Sequence, residues 1–268
     1  RQYKANRRKE TKDEARRKLG AFAKGRESIG VHEVTTDDLT AWLDGREYAG
    51  ETWNSYRRQL HAFFNFAVKK EYRANNPAKA IVKSDRDEAT ANIHSVKQVE
   101  SLLREAIKNQ PLTVPYFAIG YFAGLRPQYE LADLDWSDID FESGLIRVRA
   151  KTAKKRRTRY VKISDNLATW LAPYRQNSGP IGYPRKRCQH VRTAVGVLWP
   201  KSVMRHTYAS MHLAHYSDQG KTALEMGHKD TVVLFESYRE LVKPKDAAKF
   251  WQIMPKTKEN VVQFTKAG

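Results

Sequence analysis

The sequence predicts a mainly α chain with a small antiparallel β-sheet, divided into a smaller helical domain and a larger, mostly helical one. Three observations carry that prediction. Apolar residues recur at helical spacing along most of the chain, strand-like alternation is confined to two short segments near its middle, and the polar stretch 83–94 lacks apolar periodicity. The boundaries expected from this pattern are residues 1–88 for the first domain, 89–94 for a linker, and 95–268 for the second domain with its C-terminal tail.

The elements follow in order. The first thirty residues hold eleven Lys and Arg against four acids, and read equally as a solvated arm or as the start of a basic helix. Thr35 followed by Asp38 is a helix-capping pair, and Leu39, Trp42 and Leu43 sit at helical spacing behind it. A longer helix is expected over 51–72, with Trp53, Tyr56, Leu60, Phe63, Phe64 and Ala67 on one apolar stripe and Arg57 and Arg58 off it. Asn75-Asn76-Pro77 ends it. Beyond the linker, Ser95 and Gln98 form a capping box for a helix carrying Val96, Val99, Leu102, Leu103 and Ile107, which Pro111 stops. Residues 112–134 read as a largely buried helical region interrupted near Gly124. Residues 145–150 and 158–163 then alternate like strands joined by the basic turn KTAKKR. Helical spacing returns over 166–174, 201–216, 219–227 and 230–239. Pro244 can start a last helix, whose cluster Phe250, Trp251, Ile253 and Met254 either packs on its own domain or docks on a neighbouring subunit.

Charge narrows the partner. The chain has 268 residues and a formal net charge of +19, from 49 Lys and Arg against 30 Asp and Glu. An excess of this size calls for an acidic partner, nucleic acid first and an anionic membrane surface second. Its distribution favours the former. Residues 143–217 contain 16 Lys and Arg and one acid, Asp165, which suits a surface for phosphates better than a lattice of salt bridges. Other classes fall away. A single cysteine, Cys188, which reads as a small residue in a basic loop, forms neither an intrachain disulfide nor a Cys-based zinc cluster. None of the eight histidines stands in a His-x-x-x-His pair beside a Glu, so no metal site and no cofactor is expected. No apolar run is long enough to span a bilayer and no signal peptide is visible, so a cytoplasmic protein is expected.

Two segments hold residues suited to chemistry on phosphate. In GLRPQYELADLDW, Arg126 ends an apolar run with Glu130 one helical turn on; the pair either orients the guanidinium or is an ordinary structural pair. MRHTYASMHLAHYSDQGKTALEMGHKDTVVLFESYREL supplies Arg205, His206, His228 after Gly227, and Tyr238. Arg-His-Thr at a helix head, Gly-His some twenty residues on and a Tyr about ten further resemble the tyrosine recombinase, or phage integrase, family. Arg126 and the strand-turn-strand carrying Lys151 lie upstream in that family's order, and the aromatic helix closing in Asn-Asn-Pro-Ala resembles its helical core-binding, SAM-like domain.

The resemblance implies a catalytic set of Arg126, Lys151, Arg205, His228 and Tyr238. Two guanidiniums clamp the non-bridging oxygens of a phosphodiester, and Tyr238 attacks phosphorus to form a 3′-phosphotyrosine. Lys151 protonates the leaving 5′ oxygen, with Lys154 and Lys155 as close rivals, and His228 bonds the phosphate or assists proton transfer. Arg57, Arg58, Lys154, Lys155, Arg156 and Ser202 are expected to contact DNA. The implied partners are double-stranded recombination sites, three further copies in a DNA-bound homotetramer, and accessory DNA-bending proteins; membrane, metal, ATP and cofactor play no part. The chain departs from the family in three places. Ser202 stands three residues before Arg205, where the family usually has His. Tyr129 takes the usual carboxylate position after the first Arg, with Glu130 one later. The gap from His228 to Tyr238 is also one residue longer than the commonest spacing. Two alternatives share this chemistry or its scaffold: a type IB topoisomerase-like relaxing enzyme, and a catalytically impaired DNA-binding relative.

Overall fold

The computed structural model describes residues 9–85, 92–150, 157–227 and 242–255. The chain divides into two compact units, Arg1–Ala89 and Thr90–Gly268.

The first unit is helical. Helix α1 spans Lys9–Ala23, α2 Thr36–Asp44 and α3 Gly50–Lys69. Thr35 caps α2: its hydroxyl accepts the Asp38 N–H at 3.1 Å while the Asp38 carboxylate accepts the Thr35 N–H at 2.8 Å, satisfying donors that the first helical turn leaves over. The stripe of α3 closes on α1 and α2 around Phe22, Leu39, Trp42, Leu43, Trp53, Tyr56, Leu60 and Phe64. Burying each such side chain contributes about 1.5–3 kcal/mol. The chain after α3 is tied back to it, because Asn54 exchanges two hydrogen bonds with the backbone of Ser84 and Arg57 Nε donates to the Ile81 carbonyl at 2.5 Å.

The second unit is built around one helix. Helix α4 covers Val96–Asn109 and starts with the Ser95–Gln98 capping box. Every residue of α5, Val114–Phe122, is buried, as a helix apolar on all sides requires. Helices α6 (Asp165–Leu171), α7 (Arg185–Val195), α8 (Val203–Tyr216), α9 (Gln219–Met226) and α10 (Pro244–Trp251) follow among the described residues, and the helix expected over 230–239 lies outside them. Helix α5 packs on α4, α6 and α8, α7 packs on α4, and α10 on α8. Gly120 lets α5 and α8 approach closely, since a Cβ there would lie 2.5 Å from Met204 Sδ. Strands β1 (Ile139–Asp140), β2 (Leu145–Val148) and β3 (Arg159–Lys162) form an antiparallel sheet in sequence order, with Ile146 opposite both Ile139 and Val161. Among the described residues no helix is long and apolar enough to cross a membrane, and no group of three or more His, Cys, Asp and Glu could hold a metal ion.

Four readings change or narrow. Cys188, read as a small residue in a basic loop, lies on helix α7. Its buried side is narrow, with Cys188 and Val191 buried and Val195 beside them, so three apolar residues among arginines carry little periodic signal. Cys188 faces the core, where burial pushes its thiol up to about 12. Strand β1 is only two residues long, too short to show alternation. Of the tail cluster, Phe250 and Ile253 are buried in their own unit, where Trp170 Nε1 donates to the Ile253 carbonyl at 2.9 Å, and Met254 is exposed. The basic stretch is partly paired by acids outside it in sequence. Arg147 and Arg149 both bind the buried carboxylate of Asp138, at 2.9 and 2.8 Å. Arg185, Lys186 and Arg187 on α7 are exposed and make no ion pair among the described residues.

Candidate active site

The site starts where α5 ends. Gly124 has φ 61°, a left-handed conformation that ordinary residues adopt at a cost, and the Tyr208 ring lies where a Cβ would stand. The turn aims the chain at Arg126, and Pro127 then opens a π-helical turn, Pro127–Leu131. Its signature is the Leu131 N–H donating to the Arg126 carbonyl at 3.0 Å, five residues back. A π-turn holds one residue more than an α-turn, and Glu130 rather than Tyr129 meets Arg126. Glu130 thereby folds back onto Arg126: its Oε2 accepts the Arg126 backbone N–H at 2.9 Å and its Oε1 the Arg126 guanidinium at 2.5 Å.

Glu130 is fully buried and faces three guanidiniums. Arg126 binds one oxygen, Arg159 binds both at 2.9 and 2.7 Å, and an Arg205 nitrogen lies 3.9 Å away. Burial alone would raise this carboxyl. The bonds and charges of Arg159 and then Arg126 outweigh it, and the pKa falls from 4.5 to about 2. One carboxylate against three guanidiniums leaves the cluster with excess positive charge, which suits a phosphate.

Arg205 comes from the head of α8. Pro200 precedes the helix, and Ser202 sits at its N-cap in a left-handed conformation, φ 60° and ψ 20°. Its hydroxyl makes no capping bond. The Arg205 side chain is only 6% exposed. Its two terminal nitrogens donate to the Gly124 carbonyl at 2.7 Å and the Met226 carbonyl at 2.5 Å, which bridges the end of α5 to the end of α9. That end carries Gly227, again left-handed at φ 65°, immediately before His228.

A second buried group braces α9 against α8. Tyr208 Oη donates to Glu225 Oε2 at 2.5 Å, His212 Nε2 lies 3.4 Å from the same oxygen, and His212 Nδ1 meets Thr222 Oγ1 at 2.7 Å. Burial, then the adjacent Glu225 charge, raises the Tyr208 phenol; burial and the same charge raise Tyr216. Tyr208 is buried and packs within the unit, whereas Tyr216 is exposed. Burial and then the Arg205 charge push the His206 imidazole down.

Comparisons with known proteins reach both units, and the family match falls within the second. The family model described as the phage integrase family matches residues 94–195. Over 227 residues the chain is 27% identical to the tyrosine recombinase XerD of Proteus mirabilis, covering 74% of this chain and 71% of that protein. The chain is similar to tyrosine recombinases, and its residues 94–195 match the phage integrase family model. It is also 24% identical over 252 residues to the prophage integrase IntF of Escherichia coli K12, covering 84% of this chain and 53% of that protein. In fold it is similar to lambda integrase residues 75–356, solved as a dimer bound to a COC′ core site. The TM-score is 0.68 at 15% identity, over 90% of this chain and 94% of that one.

Of the residues expected to act in the chemistry, the structure brings Arg126 and Arg205 together around Glu130. Arg57 is held by the Ile81 carbonyl, and Arg58 pairs with Glu51 at 2.6 Å while about half exposed. Ser202 stands at the head of the helix that carries Arg205. Lys151, Lys154, Lys155, Arg156, His228 and Tyr238 lie outside the described residues. One participant escaped the sequence reading. Arg159 resembles any other cation of a basic hairpin. Its one distinguishing signal is its place on the strand, two residues before the buried Val161 and so on the same face.

Proposed function

We propose that this chain is a site-specific DNA recombinase that cuts and rejoins duplex DNA through a covalent 3′-phosphotyrosine. The observation that carries the reading is the convergence of Arg126 and Arg205 on one buried carboxylate. In-line displacement at a phosphodiester builds negative charge on the non-bridging oxygens. Two oriented guanidiniums stabilise that charge more in the transition state than in the ground state. Tyr238 attacks phosphorus, the P–O5′ bond breaks, Lys151 protonates the departing 5′ oxygen, and His228 bonds the phosphate. A partner strand's 5′ hydroxyl then attacks the phosphotyrosine, restoring the phenol and the phosphodiester. One phosphoester bond is exchanged for another at each step, so no ATP is consumed.

The first unit serves as a core-binding clamp and the second as the catalytic domain, with the paired strand exchange carried out by four copies on two sites. Arg58, the hairpin cations Lys154, Lys155 and Arg156, and the exposed basic face of α7 supply phosphate contacts. Ser202 donates a hydrogen bond to phosphate, at the position where the family resemblance implies His. Accessory DNA-bending proteins fit the same scheme, and a reaction on element or chromosomal DNA belongs in the cytoplasm.

A plasmid carrying two copies of a site selected by the protein from random duplex DNA tests the reading. Inverted or excised products are expected. Relaxation of supercoils on that plasmid and on one lacking the site, with no exchange, would assign the topoisomerase-like activity instead.

A further inference from the structure

Arg159 has no part in the reaction just described, yet all three of its guanidinium nitrogens are bonded. Its two terminal nitrogens hold both oxygens of Glu130, and its Nε donates to the Glu225 carbonyl at 2.7 Å. Its side chain is 10% exposed. Gly227 packs directly on it, since a Cβ there would lie 3.1 Å from Arg159 Cδ. One side chain thus joins β3, the π-turn that carries Arg126 and Glu130, and the last turn of α9. Only a guanidinium suits this position. Its fork meets two carboxylate oxygens while the third nitrogen reaches a carbonyl, and a lysine ammonium cannot span the three.

We propose that Arg159 is a positioning residue for the phosphate clamp, a role that rests on the recombinase reading above. By occupying both oxygens of Glu130 it keeps that carboxylate from competing with the scissile phosphate for Arg126 and Arg205. Among the described residues the Arg126 side chain bonds Glu130 alone, through one nitrogen. Without Arg159, the two oxygens of Glu130 are left to Arg126 and the more distant Arg205, and the carboxylate draws both guanidiniums onto itself. The bond to the Glu225 carbonyl adds a second effect, fixing the turn that leads into His228. Both effects act on cleavage more than on DNA affinity, which many other phosphate contacts share.

The test compares the full-length protein with Arg159→Ala and Arg159→Lys on a nicked duplex of the selected site. The scissile linkage is either a phosphodiester or a neutral methylphosphonate. On the phosphodiester, covalent adduct formation at saturating DNA should fall about 100-fold in Arg159→Ala, with affinity changed by less than about threefold. Arg159→Lys, which keeps the charge and most of the volume, should recover less than a tenth of the lost rate and carries the test if the alanine variant does not fold. On the methylphosphonate, with no charge for the clamp to neutralise, the gap from wild type should shrink at least about tenfold. Equal losses on both linkages, a loss of affinity as large as the loss of rate, or unchanged cleavage would overturn the assignment. Failure of the wild type itself to form an adduct would instead count against the recombinase reading.

Discussion

Arg205→Lys is expected to lower covalent cleavage of DNA by roughly 1,000-fold while leaving DNA affinity within about tenfold of wild type. The substitution keeps the positive charge. It removes the planar fork that donates to both the Gly124 and Met226 carbonyls, and no ammonium reaches both. Two losses follow. The phosphate loses bidentate stabilisation where charge builds up, and the end of α9 loses its tie to the end of α5. Single-turnover adduct formation measured beside equilibrium binding separates cleavage from affinity. Equal losses in rate and affinity would mean that Arg205 supplies only general electrostatic attraction.

Glu130→Gln carries the largest expected effect on stability. The carboxylate is fully buried and its pKa lies at about 2 against an ordinary 4.5, so its folded-state pKa is depressed. Such a group stabilises the fold above the unfolded pKa, and the stabilisation fades as pH falls from about 4.5 towards 2. The shift corresponds to roughly 3 kcal/mol at neutral pH. Glutamine keeps the shape but leaves three guanidiniums facing one another without the compensating charge, a loss of about 3–5 kcal/mol when one partner of a buried ion cluster is removed. Urea unfolding at pH 7 should therefore show a deficit of about 3 kcal/mol in Glu130→Gln, shrinking as the measurement moves to pH 3. A deficit independent of pH over that range would mean that packing, not charge, makes Glu130 important.

How much of this was legible beforehand differs by residue. The α3 stripe, both capping boxes and the β-hairpin were readable, because each writes its geometry into spacings of two to four residues. Helix α7 was not readable, since a helix needs only a narrow apolar edge to dock and arginines fill the rest. At the site, the Arg126–Glu130 pair was visible as neighbours, and the extra residue behind Arg126 was visible as an anomaly. The π-turn there was not, because α- and π-turns use the same residue types and differ in which carbonyl accepts the bond. Arg159 and Arg205 converge on Glu130 from β3 and α8, far away in sequence. Charge counting over the window 143–217 missed this as well. Glu130 and Asp138, which pair with its arginines, lie upstream of it and enter only through folding.

The central claim is that the clamp around Glu130 serves a tyrosine nucleophile. Wild type and Tyr238→Phe, incubated with a nicked duplex that traps cleaved strands, test it most directly. Wild type should accumulate a protein–DNA adduct that survives detergent and yields a free 5′ hydroxyl, and Tyr238→Phe should yield none while still binding the duplex. Undiminished adduct in Tyr238→Phe would contradict the account.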